Sequence, residues 1–424
     1  MSARVHLDLR VRGGSDSATV AINERSHELS RQGRQVFKLG FGQSPFPVPE
    51  PVVQALRDNA HRKDYLPVRG LAELRAAVAE FHDRRDGLGR SAAQVLIGPG
   101  SKELMFLLQL VCYGDLLLPS PAWVSYAPQA RILGRAVDMV DTHPEDGWRL
   151  RPEALDAACR ADPDRPRLLI LNYPSNPVGT TLDADELAAL AEVARRYRLL
   201  VLSDEIYGEL HHRGEHVSMA RFYPEGTIVS SGLSKWCGAG GWRLGTFLFP
   251  PGLDRLVDAM SFAASETFTT ASAPIQYAAV RAFAGGAELD GYLDASRRLL
   301  GALGQWVAAC LGAAGAGCAA PEGGFYLFPD FEPQRERLAA RGIHGSQELC
   351  RRLLEDTGVA VLAGQEFGRP AAELSFRLAY VDFDGEAALA ALTPDTSPDE
   401  AFLRAHCNRV CEAAERLGGW LADA

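Results

Sequence analysis

The chain has 424 residues, 47% apolar and 23% charged, with a formal net charge of −10. That is the balance of a soluble globular protein with core for two or three domains, and the acidic surplus, without any sustained Lys/Arg cluster, speaks against nucleic acid or an anionic membrane as partner. No run approaches the ~18 apolar residues of a membrane span, residues 1–14 lack the apolar core of a secretory signal, and the eight cysteines form no C-x-x-C pair, so free thiols, no metal site and a cytoplasmic location are expected.

Residues 1–35 read as a polar arm with a short helix near Ala21–Ser30. Val36–Gly42 is a small strand entering Gln43-Ser44-Pro45-Phe46-Pro47-Val48-Pro49, where three prolines in five residues exclude regular structure. Helices are expected over Pro51–Ala60 and Leu71–Arg84, the first with proline in its opening turn.

A strand–helix alternation follows. Short apolar runs at Val95–Ile97, Leu116–Leu118, Val137–Val140, Leu168–Leu171, Leu199–Leu202, Thr227–Val229 and Thr246–Phe249 read as strands. Helices are expected at Glu103–Cys112, from Asp183 (a capping box with Glu186) to Arg196, at Leu253–Phe262, Ile275–Ala284 and Leu289–Leu311, with a polar loop at Glu266–Ser272. Apolar runs without alternation, spaced by helices, predict a mainly parallel seven-stranded sheet covered on both faces. Beyond the long helix the pattern turns α+β, with strands near Phe325–Phe328, Val359–Leu362 and Leu374–Ala379, helices near Ser346–Glu355 and Ala401–Leu417, and a Pro/Asp/Ser loop at Leu392–Glu400. The expected division is an arm and part of a small domain over 1–50, a large α/β domain over 51–295 and a small α+β domain over 296–424.

In open α/β sheets ligands gather at the carboxyl ends of the strands. Here those ends carry Gly100-Ser101-Lys102, Trp123, Asn176, Asp204 and Lys235. The chain holds four lysines (Lys38, Lys63, Lys102, Lys235) among 44 basic residues, so one just past a buried strand asks for a chemical reason. An amine can lose its proton and form a Schiff base, which a guanidinium cannot. Gly100-Ser101-Lys102 offers backbone N–H groups at a helix start, an anion site, although such a turn also serves as a plain connection. Arg243 suits a phosphate or a structural ion pair, and Trp123 an aromatic ring or the core. Asp204 after a buried strand needs a positive partner, such as a protonated ring nitrogen, or else caps a helix. Tyr207, three residues on, reaches the same side. Arg377, a lone charge in a strand pattern, suits a carboxylate. His143, His211 and His212 read as solvated loop histidines, and Cys237 as a packing residue.

The set Gly100-Ser101-Lys102, Asn176-Pro177-Val178-Gly179, Ser203-Asp204-Glu205-Ile206-Tyr207, Ser234-Lys235, Gly241-Trp242-Arg243-Leu244-Gly245 and Phe376-Arg377-Leu378 resembles the fold-type I, class I/II aminotransferases, which use pyridoxal 5′-phosphate. By that resemblance Lys235 would hold the internal aldimine and later shuttle the substrate's proton. Asp204 would pair with the pyridine nitrogen, Tyr207 and Asn176 with the ring hydroxyl, and Trp123 would stack on the ring. Gly100, Ser101, Lys102, Ser234 and Arg243 would surround the phosphate, and Arg377, Gly42 and Asn176 would meet the substrate carboxylate. Tyr65 matches a tyrosine that reaches a neighbouring subunit's phosphate, which implies a homodimer with its active site at the interface. The implied activity is transfer of an amino group from an α-amino acid to a 2-oxo acid, with elimination, replacement, cyclisation or oxidation from the same carbanion as the alternative. Gln43-Ser44-Pro45-Phe46 and Gly232 depart from the usual family residues, Ser231 or Ser234 being the candidates to replace a serine at 232. No second substrate-facing Arg points to an acidic side chain.

Overall fold

The computed structural model describes residue 6, residues 8–11 and residues 18–422. Within the arm, the Gly/Ser stretch at 12–17 lies outside the described residues, and the helix runs over Ala18–Arg31.

Seven strands form the large sheet: β2 (Val95–Gly98), β3 (Asp115–Ser120), β4 (Val137–Asp141), β5 (Arg167–Asn172), β6 (Leu200–Asp204), β7 (Thr227–Gly232) and β8 (Gly245–Leu248), in the order β2-β8-β7-β6-β5-β3-β4. All neighbours are parallel except β8, which runs antiparallel to both β7 and β2. Successive residues face opposite layers: Leu116, Leu118, Leu168 and Ile170 join one apolar cluster, Leu117, Leu169 and Leu171 another. Helices therefore cover both faces, and the strand sequences carry no polar alternation.

A two-stranded parallel pair joins β1 (Phe37–Lys38) to β10 (Val359–Ala360), and β11 (Leu362–Ala363), β12 (Phe376–Ala379) and β9 (Tyr326–Leu327) make an antiparallel sheet in the order β11-β12-β9. The run expected as one strand at Val359–Leu362 is thus split between two sheets, with Val361 as the joint. The helix at the expected domain boundary is unbroken over Ala287–Ala313. Its buried Leu299 and Leu303 belong to one continuous core with Leu74 and Ile97 on one side and Phe376 and Leu417 on the other.

The capping box is present: Glu186 N–H donates to Asp183 Oδ1 at 2.9 Å and Asp183 N–H to Glu186 Oε2 at 3.0 Å. Two helix expectations need correction, and four short helices were not read. Glu266 and Thr267 belong to the helix Asp254–Thr267, which shortens the polar loop. The last helix is two, Glu400–His406, capped at its start by Asp399, and Asn408–Ala422, with Cys407 between them in a non-helical conformation (φ −124°, ψ 27°). Short helices at Tyr126–Ile132, Pro152–Arg160, Arg335–Ala340 and Gly385–Ala391 had no periodic signal long enough to read.

Candidate active site

Strands β2, β3, β5, β6 and β7 end at one edge of the large sheet, and β8 begins there. A cavity of about 550 Å³ opens at this edge. Ser101, Lys102, Trp123, Asn176, Asp204, Tyr207, Ser234, Lys235 and Arg243 line it from the large sheet's loops, Arg377 from β12, and Gly42 from the segment after β1.

Bare backbone shapes one end. Gly245 sits between Gly98 and Gly232 in the sheet register, and a Cβ on it would come within 2.1 Å of the Ser101 amide nitrogen. Strand β8 can therefore press against the first turn of the helix Ser101–Val111, whose N-cap makes no side-chain hydrogen bond. Its opening N–H groups remain available to an anion. Arg243, two residues before β8, closes its guanidinium over Gly100 and donates to the Gly240 carbonyl at 2.9 Å. It does so from a left-handed backbone, φ 55°.

Asp204, last in β6 and 3% exposed, forms no ion pair among the described residues. Its Oδ2 accepts from Tyr126 Oη at 2.6 Å and its Oδ1 from Ser230 Oγ at 3.3 Å. Burial pushes its pKa up to about 6, against the pull of those hydrogen bonds and of the Ile206 N–H. A buried carboxylate held by neutral donors gains from any cation brought to it. Lys235, half-buried, donates from Nζ to the Gly42 carbonyl at 2.8 Å. Desolvation, then the charges of Arg377 and Arg243, bring its amine down to about 7.

Arg377 is 1% exposed and has no acidic partner among the described residues. Its Nη1 donates to Asn176 Oδ1 at 3.1 Å and its Nη2 to the Gly40 carbonyl at 2.6 Å, while Nε has no partner. Its guanidinium lies 4.8 Å over the Tyr326 ring. Lys102 places Nζ 5.0 Å from the Trp123 ring and forms no ion pair among the described residues.

Two expected site residues stand apart. Gly100 caps its helix behind the cavity wall, and Tyr65, 87% exposed, lies on the surface. Of the two serines near Gly232, Ser234 lines the cavity and Ser231 does not. Two histidines read as solvated are packed instead: the His211 ring accepts from the Arg213 and Glu215 N–H groups at 3.3 and 3.2 Å, and the His212 ring bridges the Pro321 and Gly324 carbonyls at 3.2 and 3.1 Å.

Other lining residues were not singled out in the sequence. Asn172, at the end of β5, holds the next loop by accepting from Asn176 N–H at 2.7 Å; its place at a strand end was a usable signal. Tyr126 sits in an unread helix. Tyr326 lies in an aromatic run, Phe325–Phe328, where nothing marks which ring turns inward. Glu205, next to Asp204, points away and is fully buried against Arg85, His216 and Ser218. Burial would raise its pKa, but Arg85's charge and the His216 hydrogen bond hold it below the carboxylate range.

Residues 34–386 match the family model of class I and II aminotransferases. The chain is 32% identical to an aspartate aminotransferase of Bacillus subtilis over 372 residues, 85% of this chain and 91% of that protein. It is 33% identical to an aspartate/prephenate aminotransferase of Cereibacter sphaeroides over 381 residues, 87% of this chain and 92% of the other. Among solved structures, the Thermus thermophilus aspartate aminotransferase with maleate superposes with a TM-score of 0.84 at 30% identity, covering 98% of this chain and all of that one.

Proposed function

The chain belongs to the class I and II aminotransferase family and is a transaminase, and on that premise we propose that it binds pyridoxal 5′-phosphate in the cavity at the sheet edge and moves an amino group from an α-amino acid to a 2-oxo acid through Lys235. The observation that carries this is that Lys235 and the buried Asp204, which forms no ion pair among the described residues, open into the same cavity.

The residues fit the group. An anion site of free helix N–H groups, the Ser234 hydroxyl and Arg243 suits a phosphate. The flat Trp123 suits a ring, Asp204 its protonated nitrogen, and Tyr207 with Asn176 its hydroxyl. The uncompensated Arg377 suits a substrate carboxylate, joined by the backbone of Gly42. When bound, pyridoxal 5′-phosphate supplies an aldehyde that captures amines and a ring that takes up the electron pair left when Cα loses its proton.

The chain's own residues do the rest. Asp204 would hold the protonated nitrogen of the bound ring. Arg377 fixes the carboxylate and so sets which bond at Cα stands free. The Lys235 amine, lowered to about 7, is unprotonated often enough near neutrality to take the α-proton and still able to return it. The burial of Arg377, Asp204 and Tyr207 strengthens the electrostatic contacts each makes in the site.

Lys102, which forms no ion pair among the described residues, brings a further cation to the cavity beside Arg377. With relatives named for aspartate, this favours a donor with an acidic side chain, which the sequence, lacking a second substrate-facing Arg, did not indicate. The same reading includes a homodimer, in which the exposed Tyr65 reaches the other subunit's phosphate, a cytoplasmic location, and a large and a small domain meeting at the helix Ala287–Ala313.

Borohydride reduction of the cofactor-loaded protein followed by peptide mapping tests the assignment; the label is expected on Lys235, and a labelled protein with Lys235 unmodified overturns it. Keto acid released over many turnovers without an acceptor keto acid, beyond the one equivalent per site that transfer to the cofactor alone gives, would replace transfer by elimination or oxidation.

A further inference from the structure

Tyr326 was not among the residues the sequence pointed to, yet three parts of the site converge on it. It is 1% exposed, lines the cavity, and comes from β9 beside Arg377's strand β12. Its hydroxyl stands 2.9 Å from that of Tyr207. Its ring carries the Arg377 guanidinium on its face, 4.8 Å away. Its hydroxyl is 3.5 Å from the Gly42 carbonyl, which already accepts from Lys235 at 2.8 Å.

Each phenol has one proton to give. Of the two acceptors near the Tyr326 hydroxyl, the Gly42 carbonyl is at the limit of hydrogen-bond length and already engaged, whereas the Tyr207 oxygen is at full-strength distance. If Tyr326 gives its proton to Tyr207, the Tyr207 proton is left to point into the cavity. A hydroxyl that accepts one hydrogen bond donates a second more strongly.

We propose that Tyr326 is a positioning residue that donates to the Tyr207 oxygen, turns the Tyr207 proton toward the bound ligand and strengthens it as a donor, and so links the carboxylate-binding Arg377 to the ring-hydroxyl end of the site. This rests on the cofactor reading above, and the test separates the two.

The variants are Tyr326→Phe, Tyr207→Phe and the double variant, all retaining the aromatic rings. The first readout is the pH midpoint of the bound cofactor's visible absorption change. A hydrogen bond given to the ring oxygen stabilises its electron-rich form and lowers that midpoint, so Tyr326→Phe is expected to raise it by about 0.5–1 pH unit and Tyr207→Phe by more. Adding Tyr326→Phe to Tyr207→Phe is expected to move it no further. The second readout is tryptophan-fluorescence titration of the cofactor-free protein with 4′-deoxypyridoxine 5′-phosphate, which has the ring hydroxyl but no aldehyde. Tyr326→Phe is expected to weaken it roughly 3- to 10-fold, and only when Tyr207 is present. A visible band in the wild type with no shift in Tyr326→Phe, or an equal shift in both backgrounds, overturns the inference and leaves the cofactor reading standing. Absence of any band in the wild type removes both.

Discussion

The ammonium of Lys235 and the carbonyl of Gly42, 193 residues apart in sequence, are joined by a hydrogen bond of 2.8 Å. The segment after β1 is thereby fastened to the turn after β7. Gly42 has no room for more than hydrogen: a Cβ there would stand 1.9 Å from the Tyr326 hydroxyl and 2.6 Å from two of its ring carbons. Gly42→Ala is therefore expected to push Tyr326 or the 40–46 segment aside. Overpacking of this kind costs ~1–3 kcal/mol, and the amino acid KM should rise about tenfold. Thermal melts and steady-state kinetics check both, and a variant equal to the wild type would mean that Tyr326 swings away freely.

Lys235 also makes a prediction about the cofactor-free protein. Its amine titrates near 7 when folded, because of burial first and of Arg377 and Arg243 next, against about 10.5 in an unfolded chain. Between those values the unfolded state holds a proton that the folded state lacks, so stability contributed through this residue rises with pH from about 7 to 10.5. Relative to Lys235→Met, the cofactor-free wild type should melt lower at pH 7 and regain the difference, a few °C at most, by pH 10. Parallel melting curves for the two proteins across that range would contradict the depressed amine.

Among the described residues, Arg377 makes hydrogen bonds only to neutral acceptors. A substrate carboxylate would complete it. Arg377→Lys keeps the charge but loses the planar fork, so kcat/KM should fall by roughly 100-fold, carried mainly by KM. A loss confined to kcat would place Arg377 elsewhere in the reaction.

Asp204→Asn preserves size and removes the charge. Hydrogen bonds to charged groups contribute ~1.5–3 kcal/mol, so cofactor affinity should drop by roughly 10- to 100-fold in equilibrium dialysis. Because Asp204 itself titrates near 6 before the cofactor binds, wild-type affinity should weaken as pH falls below about 6, and the variant should lack that limb.

Lys102→Met separates donors. With an acidic donor kcat/KM is expected to fall by about 10- to 100-fold, and with a neutral one of similar size by less than about threefold. Equal losses for the two would mean that the Lys102 ammonium serves something common to both donors, and no loss with either would leave Lys102 only the backbone N–H it offers at the helix start.

What the sequence revealed follows from how local each signal is. Strand cores such as Leu168–Leu171 and the strand-end residues Asn176, Asp204 and Lys235 were legible because a buried apolar run and the polar residue that ends it lie within a few positions. The capping box at Asp183 and Glu186 was equally local. The direction of β8 was not, since antiparallel pairing leaves the same apolar run as parallel pairing. Tyr126 and Tyr326 were missed for a related reason: their roles come from partners 78 and 119 residues away, Asp204 and Tyr207. His211 and His212 looked like loop residues because the carbonyls and N–H groups that satisfy them belong to the backbone, which no side-chain pattern announces.

Among the described residues, five charged side chains line the cavity: Lys102, Lys235, Arg243 and Arg377 against Asp204 alone. The whole chain is acidic, at −10. The molecule is thus a negatively charged body with a cationic well, and its outer field repels the dianions that its interior attracts. Dissolved salt screens the distant repulsion more than the close attraction. Capture of phosphorylated or dicarboxylic ligands should therefore lose less speed in salt than it would on a surface that was basic throughout, with discrimination resting on what fits once inside.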